Sequence, residues 1–337
     1  MTWSPGSRRM NETVAELKTR LKVEIEHWNC NILFKVKFLA PFRYVLMAIL
    51  TLIKLAKTRP NAIIAQNPPI FLPVTCWIYC LFAKCSLIID HHCIWSEKAI
   101  HNPILKKIIA FFEKAMVKRV ELNIAPHDVW TGKLQELGGE KAKVLTLIDY
   151  VEKISFKKID RERFCKTKFL AVYPGGTGSK ERPDLAIKAV EQLNEVTLVL
   201  TGKKEYLKQV LSHESNKIRF SGFLPNEEYF GLMKEADIII NTTDEPNTIP
   251  HFLYEATALH RPIISSPNAP IIQLFDLIYI IKQNTPEELK NAIKDVLENE
   301  EKWTQKIQQQ HKKLKQIRTD QVRKLIMNLN SYLAATS

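Results

Sequence analysis

Asp90-His91-His92 closes a short apolar run, residues 86–90, and sets a carboxylate beside two imidazoles at what reads as the end of a buried strand. An imidazole there can take the proton of an attacking hydroxyl or hold a bound ligand, with Asp90 orienting it. A histidine that only satisfies strand-end backbone groups is the plainer alternative. A second group recurs later in the chain: Gly175-Gly176-Thr177-Gly178-Ser179-Lys180-Glu181-Arg182, Thr201-Gly202-Lys203-Lys204 and Ser221-Gly222-Phe223-Leu224. Glycine lets backbone N–H groups approach a phosphate, and Lys180, Arg182 and Lys203 would offset its charge. The first turn is neither a P-loop nor G-x-G-x-x-G, so its weight comes from recurrence at successive strand ends. Residues 241–250 lead into a helix whose N-terminus suits an anion, and Glu255, about one and a half turns in, can accept hydrogen bonds from ribose hydroxyls. At the start of the chain, Gly6, Ser7, Arg8 and Arg9 form a third group suited to a phosphate, or else a plain basic surface.

These residues need strand ends to stand on, and the chain supplies them. Val23, Ile25 and His27 alternate with charged residues, which predicts a strand over 22–28. Helical spacing over 40–57 stops at Arg59-Pro60, before a strand at 62–65. Asn67-Pro68-Pro69 ends that strand, and an apolar helix runs to about residue 83. A strand at 86–90, a helix at 103–120 and a strand at 121–125 follow. Residues 151–168 are charged and patternless, which predicts a linker. The alternation restarts with strands at 169–173, 197–201, 218–220, 237–241 and 262–265, and helices at 183–193, 226–234, 250–259, 287–298 and 300–333. Alternating strand and helix argues for α/β architecture with parallel sheets covered on both faces. The expectation is two Rossmann-like domains, 1–160 and 161–300, and C-terminal helices at 301–337 that cross back to the first. Met1-Thr2-Trp3 leaves little room before the turn at Pro5-Gly6, so a first strand is vestigial or the natural start lies upstream.

Composition narrows the partners. Apolar residues make up 45% and charged residues 25%, which fits a globular chain, and 10 glycines in 337 residues exclude collagen-like and glycine-linker readings. The formal charge is +13, and +9 of it lies in residues 1–150. That excess suits an anionic membrane surface or phosphorylated substrates. No basic run interleaves with aromatic residues, which argues against nucleic acid. Cys76, Cys80, Cys85 and Cys93 lack the C-x2-C knuckle of a zinc site, so the thiols read as core residues in a reducing cytosol and no metal is expected. The apolar runs at 44–53 and 70–83 fall short of the ~20 residues of a membrane span, though they could lie on a membrane.

Three segments of the second half carry a family resemblance: Ile218-Arg219-Phe220-Ser221-Gly222-Phe223-Leu224, residues 229–242, and Tyr254-Glu255-Ala256-Thr257-Ala258-Leu259-His260-Arg261-Pro262-Ile263-Ile264. Together they resemble the donor half of GT-B glycosyltransferases of the group-1/family-4 type. The resemblance implies two Rossmann-like domains facing each other across a cleft and a nucleotide-diphosphate sugar, GDP- or UDP-linked, as donor. It implies that Glu255 holds the ribose and that the backbone of Asn247, Thr248 and Ile249 faces the diphosphate. Asn247 stands where the retaining enzymes' E-x7-E has its first Glu, and of the family's Arg-then-Lys phosphate pair only Arg182, with Lys180, is matched.

In the first half, Ala65-Gln66-Asn67-Pro68-Pro69, Leu87-Ile88-Ile89-Asp90-His91-His92 and Phe112-Glu113-Lys114-Ala115-Met116 resemble the β-mannosyltransferase family that extends dolichol-linked chitobiose, with its prokaryotic relatives. There His92 occupies the motif histidine, while Phe252 stands where that family tends to carry a lysine. The implied activity is hexosyl transfer, in that family mannosyl, to a polyprenyl- or dolichyl-linked or other glycan acceptor. No cofactor or metal is implied, and the implied place is the cytoplasm or the cytoplasmic face of a membrane. Two rivals share the fold: a sugar-nucleotide epimerase, and a non-catalytic nucleotide-sugar-binding scaffold subunit, which the Asn at 247 suggests.

Overall fold

A computed structural model of the chain describes residues 1–3, 8–21, 23–30, 40–97, 102–175, 180–202 and 215–336. Gly6, Ser7, Gly176 and Lys203 therefore lie outside the described residues, as does the side chain of Arg8. The chain forms two units, Met1–Asp149 with Arg318–Ser337, and Tyr150–Ile317.

The first unit runs α1 (Arg8–Arg20), α2 (Ala40–Thr58), β1 (Ala62–Asn67), α3 (Phe71–Cys80), β2 (Ser86–His91), α4 (Pro103–Arg119), β3 (Leu122–Ala125), α5 (Asp128–Gly138) and β4 (Val144–Thr146). The strands form a parallel sheet in the order β1-β2-β3-β4. Every residue of β2 is buried, because both faces are covered. Ile63, Ala65, Leu87 and Ile89 point into a core shared with α2, α3 and α4. The intervening Ile88, with Leu122 and Ile124, packs against Leu17 of α1 and against Val322, Leu325 and Leu329 of the closing helix.

The strand expected over 22–28 does not form. An isolated bridge between Thr2 and Asn29 is the only pairing in this region among the described residues. Val23 is exposed while Ile25 packs against the core beside Leu17, so the alternating residues do not form one continuous buried face. Met1–Trp3 instead lies along β1: the terminal amine donates to Ile64 O, and Gln66 N donates to Met1 O.

The second unit runs β5 (Phe169–Tyr173), α6 (Pro183–Glu191), β6 (Val196–Thr201), β7 (Ile218–Gly222), α7 (Asn226–Glu235), β8 (Ile238–Asn241), α8 (His251–Ala258), β9 (Ile263–Ser265), α9 (Ala269–Leu274), β10 (Tyr279–Ile280), α10 (Pro286–Glu298) and α11 (Glu300–Thr336). Its parallel sheet has the order β10-β9-β8-β5-β6-β7. The chain enters at β5, builds outward to β7, then returns to the other side of β5 with β8. That reversal makes β5/β8 the switch point, where ligands of open α/β sheets sit beyond the strands' carboxyl ends.

Residues 151–168, read from sequence as linker, belong to this second unit. Lys157 N donates to Glu227 O, and a Cβ on Gly231 would meet Lys157 O at 2.1 Å, so α7 accepts this segment only with glycine there. The 37-residue α11 belongs to the second unit up to Ile317 and to the first from Arg318 onward. No helix among the described residues is long and apolar enough to cross a membrane.

Candidate functional site

In the second unit the glycine turns stand at strand ends beside the switch point. Gly175, just past β5, has φ +82°, and its N–H donates to Thr201 Oγ1 at the end of β6. Gly202, with φ +108°, donates to Gly222 O, and a Cβ on it would come within 3.2 Å of Gly175 O. The three turns thus lie against one another, and at Gly202 both the backbone conformation and the space favour glycine.

Across the switch point, residues 180–182 clip onto 242–244. Arg182 N donates to Thr242 O, Asp244 N donates to Lys180 O, and the buried Tyr173 hydroxyl donates to Thr242 O at 2.8 Å. Arg182 itself is held by two carboxylates: Nε and Nη2 donate to Asp184, and Nη1 donates to Asp244 Oδ2 at 2.9 Å. Those hydrogen bonds raise the Arg182 pKa further above its ordinary range. Lys180 is exposed, with Nζ 3.5 Å from Glu245 Oε2.

The loop after β8 is tied down by Asn268, which sequence reasoning missed. Its Nδ2 donates to Glu245 O and Thr248 O, while its Oδ1 caps α9 by accepting from Ile271 N. An Asn just before Ala269-Pro270 is a legible N-cap signal. Asn247 and Ile249 lie in this loop, half-buried. Glu255 sits buried in α8, its Oε2 accepting from Tyr229 OH at 3.2 Å and its Oε1 3.2 Å from His251 Nδ1. Both carboxylate oxygens are thereby fixed in direction.

In the first unit, Asp90, next to last in β2, is almost wholly buried, and Arg9 from α1 meets it with Nε donating to Oδ1 at 3.0 Å and to Oδ2 at 3.2 Å. Arg9 Nη1 also donates to Asp149. Arg9 is thus 5% exposed rather than displayed at a surface. Burial by itself would raise the Asp90 pKa, but the Arg9 guanidinium, with His92, outweighs it and holds the carboxyl well below its usual range. Burial likewise works against the charge on Arg9, and the two carboxylates overcome it and raise its pKa. His92 is partly exposed, with its buried Nε2 3.5 Å from Asp90 Oδ2. Its backbone N–H donates to Asn67 O, which ties it to the end of β1.

Beside it, His91 is fully enclosed, and burial pushes its pKa down to about 4. Its Nδ1 accepts from Asn67 Nδ2 at 3.1 Å and its Nε2 donates to Asn123 Oδ1 at 2.9 Å. Glu113 completes the cluster, accepting from Asn67 Nδ2, Trp95 N and Ser96 N, so the segment after β2 is held by α4. The structure brings together Arg9, Asp90 and His92 in one unit, and Gly175, Gly202 and Gly222 with the 180–182 clip in the other.

Comparison with known proteins assigns this architecture. Residues 155–314, all within the second unit, match the family described as Glycosyl transferases group 1. Over 165 residues, 45% of this chain, the sequence is 26% identical to the uncharacterized glycosyltransferase MJ1069 of Methanocaldococcus jannaschii, and the match spans 42% of that relative's length. Among solved structures, Anabaena Alr3699/HepE in complex with UDP superposes with a TM-score of 0.69 at 16% identity, over 85% of this chain and 82% of that one. The same protein has been solved with UDP-glucose, with a TM-score of 0.67 at 16% identity, over 83% and 82%. Sucrose-phosphate synthase from Thermosynechococcus elongatus gives 0.71 at 13% identity, over 94% and 82%. With its two parallel-sheet α/β units and these neighbours, the chain has the GT-B fold of glycosyltransferases.

Proposed function

We propose that this protein is a glycosyltransferase that takes a hexosyl group, mannose being the first candidate, from a UDP- or GDP-linked donor to a polyprenyl-linked or other glycan acceptor. The observation that carries the reading is the group 1 match of residues 155–314, because it falls on the unit whose strand ends hold the glycine turns and the fixed carboxylate of Glu255. Donor-bound neighbours support the nucleotide-sugar class. In this reading Glu255 accepts from the ribose hydroxyls, and the backbone at Gly175, Gly176, Gly202 and Gly222, with Asn247, Thr248 and Ile249, cradles the diphosphate. Lys180, Arg182 and Lys203 offset the charge of the leaving nucleotide, so no metal ion is called for. Arg182 meets the phosphate by exchanging Asp244 for it while Asp184 keeps the guanidinium in place.

In the first unit His92 is the group that takes the acceptor's proton or holds the sugar. With Nε2 turned to Asp90, Nδ1 is the nitrogen left for that work. Arg9 acts as a positioning residue that fixes Asp90, leaving Gly6, Ser7 and Arg8 as the acceptor contacts. The six cysteines are all free thiols, which supports a cytoplasmic setting. The deciding experiment is a thermal-shift panel of UDP- and GDP-sugars followed by transfer assays with the donor that stabilises the protein. Donor stabilisation with turnover is expected. Tight binding with neither transfer nor hydrolysis would replace the reading with the scaffold role, and interconversion of the sugar without an acceptor would replace it with an epimerase.

A further inference from the structure

Three helices of the first unit carry apolar side chains on the faces they turn away from the core. On α2, Phe42, Val45, Leu46, Ile49 and Ile53 are exposed at helical spacing, while Met47 and Leu55 point inward. On α4, Ile104, Leu105, Ile108 and Phe111 are exposed in the same way, while Ile109 and Met116 are buried. Just past α3, Leu81 and Phe82 are exposed, Phe82 at 88%. These helices are amphipathic with both stripes apolar, one for the core and one for something else.

The outward stripes belong to one side of the unit, because the inward stripes of all three helices fill a single core on one face of the sheet. The helices also adjoin: the Tyr44 and Phe71 rings lie 5.3 Å apart between α2 and α3, and Arg119 of α4 lies 5.8 Å from the Trp77 ring of α3. The exposed charge that the three helices carry is basic, and Glu26 beside α2 is paired with Lys54. α2 and α3 contain no acidic residue, and the sole one in α4, Glu113, is buried. Lys57, Lys84, Lys106, Lys107, Lys114 and Lys118 are exposed around the apolar stripes.

We propose that this face is a seat for an anionic lipid bilayer, on which the protein lies without spanning it. Apolar side chains would enter the acyl boundary while the lysines meet lipid phosphates, the combination by which interfacial helices bind. A second protein chain is a poorer fit, since an obligate interface core is depleted of lysine. A seat of this kind would hold the unit at the height where a prenyl-linked acceptor presents its headgroup. The seat itself is independent of the transfer reaction, so either reading can fail without the other.

The test is co-sedimentation of the full chain with phosphatidylcholine vesicles and with vesicles containing phosphatidylglycerol, at low and high salt. Binding is expected to the anionic vesicles and to weaken with salt. Ile49→Glu combined with Phe111→Glu should lower partition by about tenfold or more, and Lys106→Glu with Lys107→Glu should remove the preference for anionic lipid. Ile272→Glu, an exposed apolar position of α9, should leave vesicle binding unchanged. Urea unfolding of the variants followed by tryptophan fluorescence serves as the folding check, because five of the six tryptophans lie in the unit that carries the substitutions at 49, 106, 107 and 111. No vesicle binding by the parent chain, or equal binding by the Glu variants, overturns the proposal. So does a dimer in sedimentation velocity that the same variants dissociate without any effect of lipid.

Discussion

His91 should make the first unit acid-labile well above the pH at which carboxylates titrate. Its Nδ1 faces an amide donor, Asn67 Nδ2, whose orientation is locked by Glu113 Oε1, and its Nε2 faces Asn123 Oδ1, locked because Asn123 Nδ2 donates to Val117 O. A proton on Nδ1 would set two donors, its own N–H and Asn67 Nδ2, against each other in a dry site, so the native state keeps the ring neutral, with a pKa of about 4 against an ordinary 6.5. The unfolded chain takes up the proton near 6.5. Stability owed to His91 is therefore full above that pH and is lost as the pH falls toward 4, by about 3 kcal/mol in all. That is a large share of the 5–15 kcal/mol typical of domains. Asp90 does not compete in this window: its depressed pKa contributes stability above its ordinary 3.8 that is lost only below it. Half-buried His27 acts in the same direction as His91 but less.

Urea unfolding followed by tryptophan fluorescence measures the unit directly, since five of the six tryptophans lie in residues 1–149. The midpoint should fall steeply between pH 6.5 and 4 in the parent chain, and His91→Gln, less stable at neutral pH, should show a much shallower slope. Equal slopes in the two proteins would refute the reasoning.

Three further outcomes are expected. His92→Ala should cut transfer by ~10²–10⁴-fold while leaving nucleotide affinity nearly unchanged; a fully active variant removes His92 from the chemistry. Asp244→Asn keeps the Oδ1 that accepts from Asn284 but relieves Arg182 of a competing charge, so nucleotide affinity by calorimetry should rise by ~2–5-fold; weaker binding would show that Arg182 does not meet the phosphate. Glu255→Ala should weaken nucleotide binding by ~10-fold or more, and an unchanged dissociation constant would return Glu255 to a packing role.

Much of the sheet was legible because parallel strands buried on both faces read as unbroken apolar runs. Residues 86–90 and 238–240 are such runs, and Asn67-Pro68-Pro69 and Arg261-Pro262 punctuate their neighbours. The misses have physical reasons. Helix α1 was hidden behind the alternation that follows it, although Met10 and Leu17 already sit at helical spacing and are buried. β4 is three residues long, and all are only half-buried, so no pattern marks it. The pairing of Arg9 with Asp90 joins residues 81 positions apart, and no local spacing encodes it. Arg182 was legible as a cation near a strand end. Asp184 is its near neighbour in sequence, but its second carboxylate partner, Asp244, depends on the clip between 180–182 and 242–244, which only the fold creates.

The closing helix sets an order of assembly on the ribosome. The core of the first unit around Ile88, Leu122 and Ile124 is finished by Val322, Leu325 and Leu329, and Arg318 donates to Ile148 O and pairs with Glu16. Those side chains are made only after the whole second unit. At 5–20 residues per second, the first-made sheet waits about 10–40 s with one face covered only in part, by α1. The half of the protein that leaves the ribosome first is the half completed last, and a premature stop in α11 just after Ile317 would leave that early half, rather than the late one, without its cover.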